Sequence, residues 1–290
     1  MPDHKENRGI SLQPRDIEIL KSLLESRVMT IRHASILHFQ GRFEASKKRT
    51  LRLRRAGLIS VRARRPFEPA VLFLSRKGLQ ILDSSGLLPE IPEFSLESFV
   101  RRSAVSDRTL CHELDVMDVK VAFAQSVVDH KQLRLDKFGT WPNLHRFQTH
   151  LKGRPLDAWI KPDGYMSVSS SSHSGQIRSD HFYLELDRST ESLGTLIEKC
   201  RGYLAHRKST RPNEVPPFRV LVVLKTSERE ANLLVKLTDM MPPIKTLVWT
   251  SIFEKVIANP LGAIWTCPAD SETIAATQRE LFADRQKGLE

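Results

Sequence analysis

The amino-acid sequence predicts a two-domain α+β, mixed α/β protein: a basic module of three helices and a hairpin, then a mixed sheet flanked by helices. Three observations carry that expectation. A length of 290 residues suits two domains at roughly 100–200 residues each. Charge is uneven: of 45 Lys+Arg and 34 Asp+Glu, residues 1–80 hold 18 and 7, leaving 27 of each for the rest. The hydrophobic spacing also changes along the chain, from helical stripes at the start to strands with alternating faces further on.

The first module reads in order. Leu12 to Glu25 carries Ile17, Ile19, Leu20, Leu23 and Leu24 on a helical stripe, introduced by Ser11 and Pro14. Thr30 to Phe39 is a second, short helix, broken at Gly41. Phe43 to Ala56 is a third, and Gly57 supplies the left-handed cap at its end. Two short runs, Leu58 to Arg64 and Pro69 to Leu74, flank a turn containing Pro66, and a further helix starts at Ser75.

Three helices followed by a hairpin is the order of a winged helix-turn-helix. The text KKRTLRLRRAGLI resembles the third helix and wing entry of winged-helix DNA-binding domains, with Leu53 as the apolar anchor. Lys48, Arg52 and Arg55 fall at i, i+4 and i+7 on one outward face, with Lys47 and Arg49 beside them; Arg62, Arg64 and Arg65 decorate the wing. Cations on a helix and on a neighbouring loop suit double-stranded DNA, where they meet phosphates in adjacent grooves. A solvated basic face is the plainer reading of any one charge run, and the agreement of helix, wing and net charge favours DNA.

Residues 83–98, DSSGLLPEIPEFSLES, lack periodicity and read as a linker or an ordered crossing segment. The expected division is therefore a DNA-binding domain at 1–84, a linker at 85–104 and an α/β domain at 105–290. In the last, Thr109 to Val128 is a long helix, followed by strands at Gln132–Phe138, Ala158–Val168 and His181–Arg188. A helix at Glu191–His206, a strongly apolar strand at Phe218–Leu224, a helix at Glu228–Leu237 and strands at Thr246–Thr250 and Ala263–Thr266 complete the reading. Trp141, Trp159, Trp249 and Trp265 are expected in the core.

The strand HFYLELDR places two carboxylates, Glu185 and Asp187, side by side on one face. In KPDGY, Asp163 precedes Gly164, and Glu185 follows 22 positions later. If the two strands pair as a hairpin, Asp163 and Glu185 point at one spot. Hard divalent cations, Mg²⁺ or Mn²⁺, take such oxygen ligands together with water and substrate phosphate.

The run PD…ExD resembles the PD-(D/E)XK nuclease motif, in which an Asp and a Glu hold metal and a Lys two residues on assists. Asp187 stands where that Lys is expected. Some relatives supply the Lys from the following helix, which points to Lys199 in EKCRGYLAH; Glu113, on the long helix, is a candidate acid beside the metal. The resemblance implies a restriction-endonuclease-like sheet. A wider one spans most of the chain. The basic module, CHELDVMDVKVA, PDGY, FYLELDRSTESLGTLIEKCRGY and LGAIW together look like the plasmid replication-relaxation family, which includes mobilisation proteins of the MobC kind. That implies plasmid or mobile-element DNA processing, by nicking, relaxation, replication or mobilisation, with other plasmid proteins as partners. The rival reading is a DNA-binding accessory factor on a nuclease-like fold that no longer cuts.

The remaining exclusions are brief. No run of about 18 apolar residues is present, so no membrane partner is expected. Cys111, Cys200 and Cys267 are odd in number and far apart, which fits neither a disulfide framework nor a structural zinc site. MPDHKENRG lacks the apolar core of a secretion signal, so a cytoplasmic location is expected. Thr190 and Glu191 read as capping residues for the helix that follows.

Overall fold

The computed structural model describes residues 10–62, 67–88, 95–103, 105–140, 147–149, 158–171, 175–211, 213–240, 242–268 and 278–282. The chain is mixed α and β and divides into two compact units, Met1–Met117 and Asp118–Glu290.

The first unit contains α1 (Pro14–Ser26), β1 (Val28–Thr30), α2 (Ile31–Phe39), α3 (Phe43–Arg55), β2 (Ile59–Val61), β3 (Val71–Leu74), α4 (Arg76–Ser84), α5 (Leu96–Ser103) and the start of α6 (Asp107–Val128). Local chemistry sets the ends. Pro14 opens α1, where its missing N–H costs nothing, and the Asp16 carboxylate accepts the Gln13 N–H at 2.7 Å. The Thr30 hydroxyl caps α2 by accepting from His33 N, and Ser75 caps α4 by accepting from Gly78 N. Gly57 ends the α3 region at φ +75°, with Leu58 N donating to Leu53 O at 3.0 Å, as the glycine predicts.

The three strands pair antiparallel in the order β1–β3–β2, so the expected hairpin gains a third strand. All three residues of β1 are buried, which leaves no alternation for a sequence reading to find. Ile19, Leu20, Leu23, Leu53, Leu79 and Leu82 form a fully buried core, with Leu53 as the expected anchor. Gly78 lets α4 lie flush on the backbone of Leu58, since a Cβ there would sit 2.3 Å from Leu58 O. The segment read as a linker contains α5, whose Phe99 is 2% exposed in that same core. An eight-residue helix is too short to show a convincing apolar stripe in the sequence.

The second unit continues α6 and adds β4 (Leu133–Gly139), β5 (Phe147–Thr149), β6 (Ala158–Ile160), β7 (Gly164–Ser171), β8 (Ile177–Asp187), α7 (Leu193–Ser209), β9 (Phe218–Leu224) and α8 (Ser227–Thr238). It ends with α9 (Pro242–Leu247), β10 (Val248–Ile252), α10 (Phe253–Ala258), β11 (Trp265–Thr266) and β12 (Gln278–Arg279). Seven strands make one mixed sheet, β12–β11–β10–β9–β8–β7–β4. β8 and β10 run parallel to β9, and the other pairs are antiparallel. Parallel neighbours need a crossover, which α7 provides between β8 and β9. β9 sits at the centre, and from Val220 to Leu224 it is apolar and buried because both of its faces are covered.

The strand expected at Ala158–Val168 is two strands. β6 pairs with β5 in a separate two-stranded sheet, while β7 pairs with β8 in the main one. Pro162 lies between them; it cannot donate to a ladder, and the chain changes sheets there. The helix expected from Glu191 starts at Leu193, capped by Ser192, whose hydroxyl accepts from Thr195 N at 3.1 Å. Thr190 and Glu191 precede the cap and do not form it.

Candidate functional site

β7 and β8 are the hairpin that the acid pair requires. Gly164 stands opposite Leu184, where the ladder ends, and Asp163 N donates to the same Leu184 O at 3.0 Å, one residue out of register. Asp163 lies close enough to Glu185 for its charge to act on that carboxyl. An Asp163 carboxylate oxygen also accepts the Leu186 N–H at 2.8 Å, which fixes the side chain against β8.

Helix α7 completes the cluster. Lys199 Nζ lies 3.2 Å from Glu185 Oε2 and 3.1 Å from Glu191 Oε2. One turn along, the Tyr203 hydroxyl donates to Glu185 Oε1 at 2.6 Å. Glu185 is 2% exposed, so both of its oxygens are held in a dry site by donors from a single helix.

The electrostatics follow from this packing. Burial, and then the charge of Asp163, push the Glu185 carboxyl up to about 7, against the opposing pull of Lys199 and Tyr203. Burial works against the Lys199 ammonium, but the charges of Glu185, Asp163 and Glu191 outweigh it and hold the amine protonated. Burial and the charge of Glu185 raise Tyr203 well above the usual phenol range, so its hydroxyl stays a donor. The same two causes push the Cys200 thiol up to about 12, which leaves it inert.

The other predicted acids have other partners. Asp187 is gripped by two nitrogens of Arg229 on α8, one to Oδ2 and one to Oδ1 at 3.1 Å, and accepts the Ser189 N–H. It is 8% exposed and forms an internal ion pair with Arg229. The repulsion expected between Glu185 and Asp187 is met by a cation for each, Lys199 and Arg229. Glu113 pairs with Arg27 at 2.7 Å inside the first unit, and that is the role its carboxylate is given. Among the described residues, no group of three or more His, Cys, Asp or Glu side chains is placed to hold a metal ion.

The basic residues of the first unit also separate. Lys47, Lys48, Arg52 and Arg55 are exposed on α3, Lys47 with Glu44 at 3.7 Å. Arg49 is turned inward: its guanidinium holds both oxygens of fully buried Asp16, one from Nε at 2.7 Å, and donates to Ser11 O. It therefore pins α3 to α1 rather than facing outward. Arg62 pairs with Asp107. Arg64 and Arg65 lie outside the described residues, as does Trp141.

Of two contributors to the acid cluster and its surroundings, the sequence reading leaves one with an open role and misses the other. Tyr203 shares a helix face with Lys199 by its i+4 spacing, a signal that was present but equally suited to packing. Arg229 lies 42 residues from Asp187, and nothing local announces the pairing. Trp249 and Trp265 are buried as expected, whereas Trp159 is 53% exposed and is not core. It sits on the outer face of β6, because Ile160 takes the inner one.

The replication-relaxation family model matches residues 20–216, and the chain belongs to that family. No curated protein and no solved structure matches the chain.

Proposed function

We propose that this protein binds double-stranded DNA of a plasmid or other mobile element and cuts one strand at a Mg²⁺- or Mn²⁺-dependent centre built on Asp163, Glu185 and Lys199. Family membership supports the setting: replication, relaxation or, as in proteins of the MobC kind, mobilisation, with other plasmid proteins as partners. The observation that carries the cleavage reading is the Lys199 ammonium 3.2 Å from Glu185, supplied by the helix after the acid strand. This is the position from which a displaced catalytic lysine would work.

The donor set suits a hard cation. Two carboxylates lie close enough to interact, and a carboxylate has about four acceptor sites, of which Glu185 commits one on each oxygen. Burial, and then the charge of Asp163, push Glu185 up to about 7, and a divalent ion bound there would offset both. Asp163 and Glu185 would hold it, and it would supply Lewis-acid stabilisation of the phosphate and an activated water. Lys199 stabilises negative charge on the phosphate oxygens, a task its permanently protonated amine suits. Tyr203 holds Glu185 in place through Oε1. The exposed Lys47, Lys48, Arg52 and Arg55 deliver the duplex through phosphate contacts.

One observation favours a second reading, a DNA-binding accessory factor without cleavage. Glu185 already has a cation and a hydroxyl on its two oxygens, so the cluster satisfies itself. The test is incubation of purified protein with supercoiled plasmid and Mg²⁺ or Mn²⁺, beside Asp163→Ala and Glu185→Ala. Metal-dependent nicking lost in both variants supports the enzyme. Binding without nicking by every form, on plasmids carrying the cognate origin, supports the accessory factor.

A further inference from the structure

We infer that Trp159 is a stacking platform for an unpaired base, which gives the acid cluster a single-stranded DNA site beside it. Tryptophan hides most of its large apolar surface in folded proteins, yet Trp159 is 53% exposed on a strand whose next residue, Ile160, is 4% exposed. The strand is firmly seated. Ile160 packs on α7 at Gly202, where an added Cβ would lie 2.4 Å from Ile160 Cδ1. Phe147, on the partner strand β5, stacks on His206 with ring centroids 3.9 Å apart and meets Tyr203 at 5.7 Å. The two-stranded sheet is thus clamped to the helix that carries Lys199 and Tyr203, and Trp159 is displayed from a rigid base.

Its position relative to the acids is bounded by the chain. Trp159 and Asp163 are four positions apart, so their Cα atoms lie within about 14 Å. Lys161, exposed between them, adds a cation near a passing phosphate backbone, and Gln148 stands exposed opposite Trp159 in the register. An aromatic face with neighbouring cations is the recurring solution for holding single strands, because every base has a π-face to stack. A nicked or locally opened duplex offers such a base. This deepens the proposed function, resting on its claim that a DNA strand passes Asp163 and Glu185.

The experiment follows intrinsic tryptophan fluorescence of the full chain, in EDTA, during titration with a labelled thymidine oligonucleotide whose anisotropy reports binding. The Arg52→Ala, Arg55→Ala background reduces capture by the first unit. Saturable quenching is expected, with Trp159→Phe removing the quench and Trp159→Ala weakening binding about tenfold, the scale of one lost stack. A quench that survives in Trp159→Phe, or affinity unchanged in Trp159→Ala, overturns the inference and leaves Trp159 as a contact for a partner protein. Because the assay needs no cleavage, its outcome is separable from the nicking test: stacking without nicking removes only the nuclease, and nicking without stacking removes only this site.

Discussion

Lys199 and Glu185 are joined across 3.2 Å between α7 and β8, and that contact organises the acid face of the second unit. Fourteen residues apart in sequence, they meet because the chain turns after β8 into a crossover helix that lies back over the strand it has just left. Tyr203, one turn further along the helix, takes the other Glu185 oxygen. A glutamate that is 2% exposed thereby keeps both oxygens paired, as a buried acid must.

Lys199→Met removes the cation from a buried carboxylate that already feels the charge of Asp163. The expected loss is about 2–4 kcal/mol in urea denaturation at pH 8 with EDTA. A smaller loss is expected at pH 5, where the Glu185 carboxyl is neutral. Equal losses at both values would show that Lys199 does not answer the charge of Glu185.

Glu185 also sets a pH trend of its own. Its carboxyl titrates near 7 in the folded chain and near 4.5 unfolded, so the folded state binds the extra proton between those values. Stability from this group is therefore complete below about 4.5 and is lost as pH rises towards 7. In EDTA, the wild-type chain should lose stability relative to Glu185→Gln between pH 5 and 7.5. A difference that stays flat across that window would contradict the burial and crowding invoked here.

Asp187 and Arg229 should behave as structure. Asp187→Ala leaves a mostly buried guanidinium without its carboxylate, at a cost of about 3 kcal/mol, whereas Asp163→Asn should leave the melting temperature close to wild type and abolish nicking. Thermal melts of both variants beside the plasmid assay make the comparison. Nicking lost in Asp187→Ala at unchanged stability would return that residue to the chemistry.

Arg49 and its neighbours on α3 should separate in the same way. Arg49→Ala strands fully buried Asp16 and should destabilise the first unit by about 3 kcal/mol. Burial opposes ionisation of Asp16, but the bonds from Arg49 and the Gln13 N–H prevail and lower its pKa below 3.8. Its contribution is present above pH 3.8 and lost as pH falls further, and acid unfolding of the wild type compared with Asp16→Asn reads that out. Arg52→Ala with Arg55→Ala should spare stability and reduce the salt dependence of DNA binding by about one unit of slope per lost phosphate contact. An unchanged slope would remove α3 from the DNA-facing surface.

Gly78→Ala is a packing test. The new methyl would meet a backbone carbonyl 2.3 Å away rather than a side chain that can swing aside. The expected cost is about 2 kcal/mol or more, read as a fall in the urea midpoint.

Much of this molecule was legible before any coordinates. Helices α1 to α4, the Gly57 cap, the Leu53 anchor and the apolar run of β9 follow from periodicity and local backbone chemistry, which act over a few residues. The β7–β8 hairpin was legible too, since the alternating faces of its two strands are visible in the sequence. Asp187, Arg49 and Trp159 were not. Each has a local pattern that suits two roles, and the choice depends on what a distant element presents: Arg229 from α8, Asp16 from α1, and α7 claiming Ile160 instead of Trp159. Sequence spacing determined which side chains share a face; only tertiary packing decided which face met a partner, because burial and charge pairing act between elements that the chain brings together late.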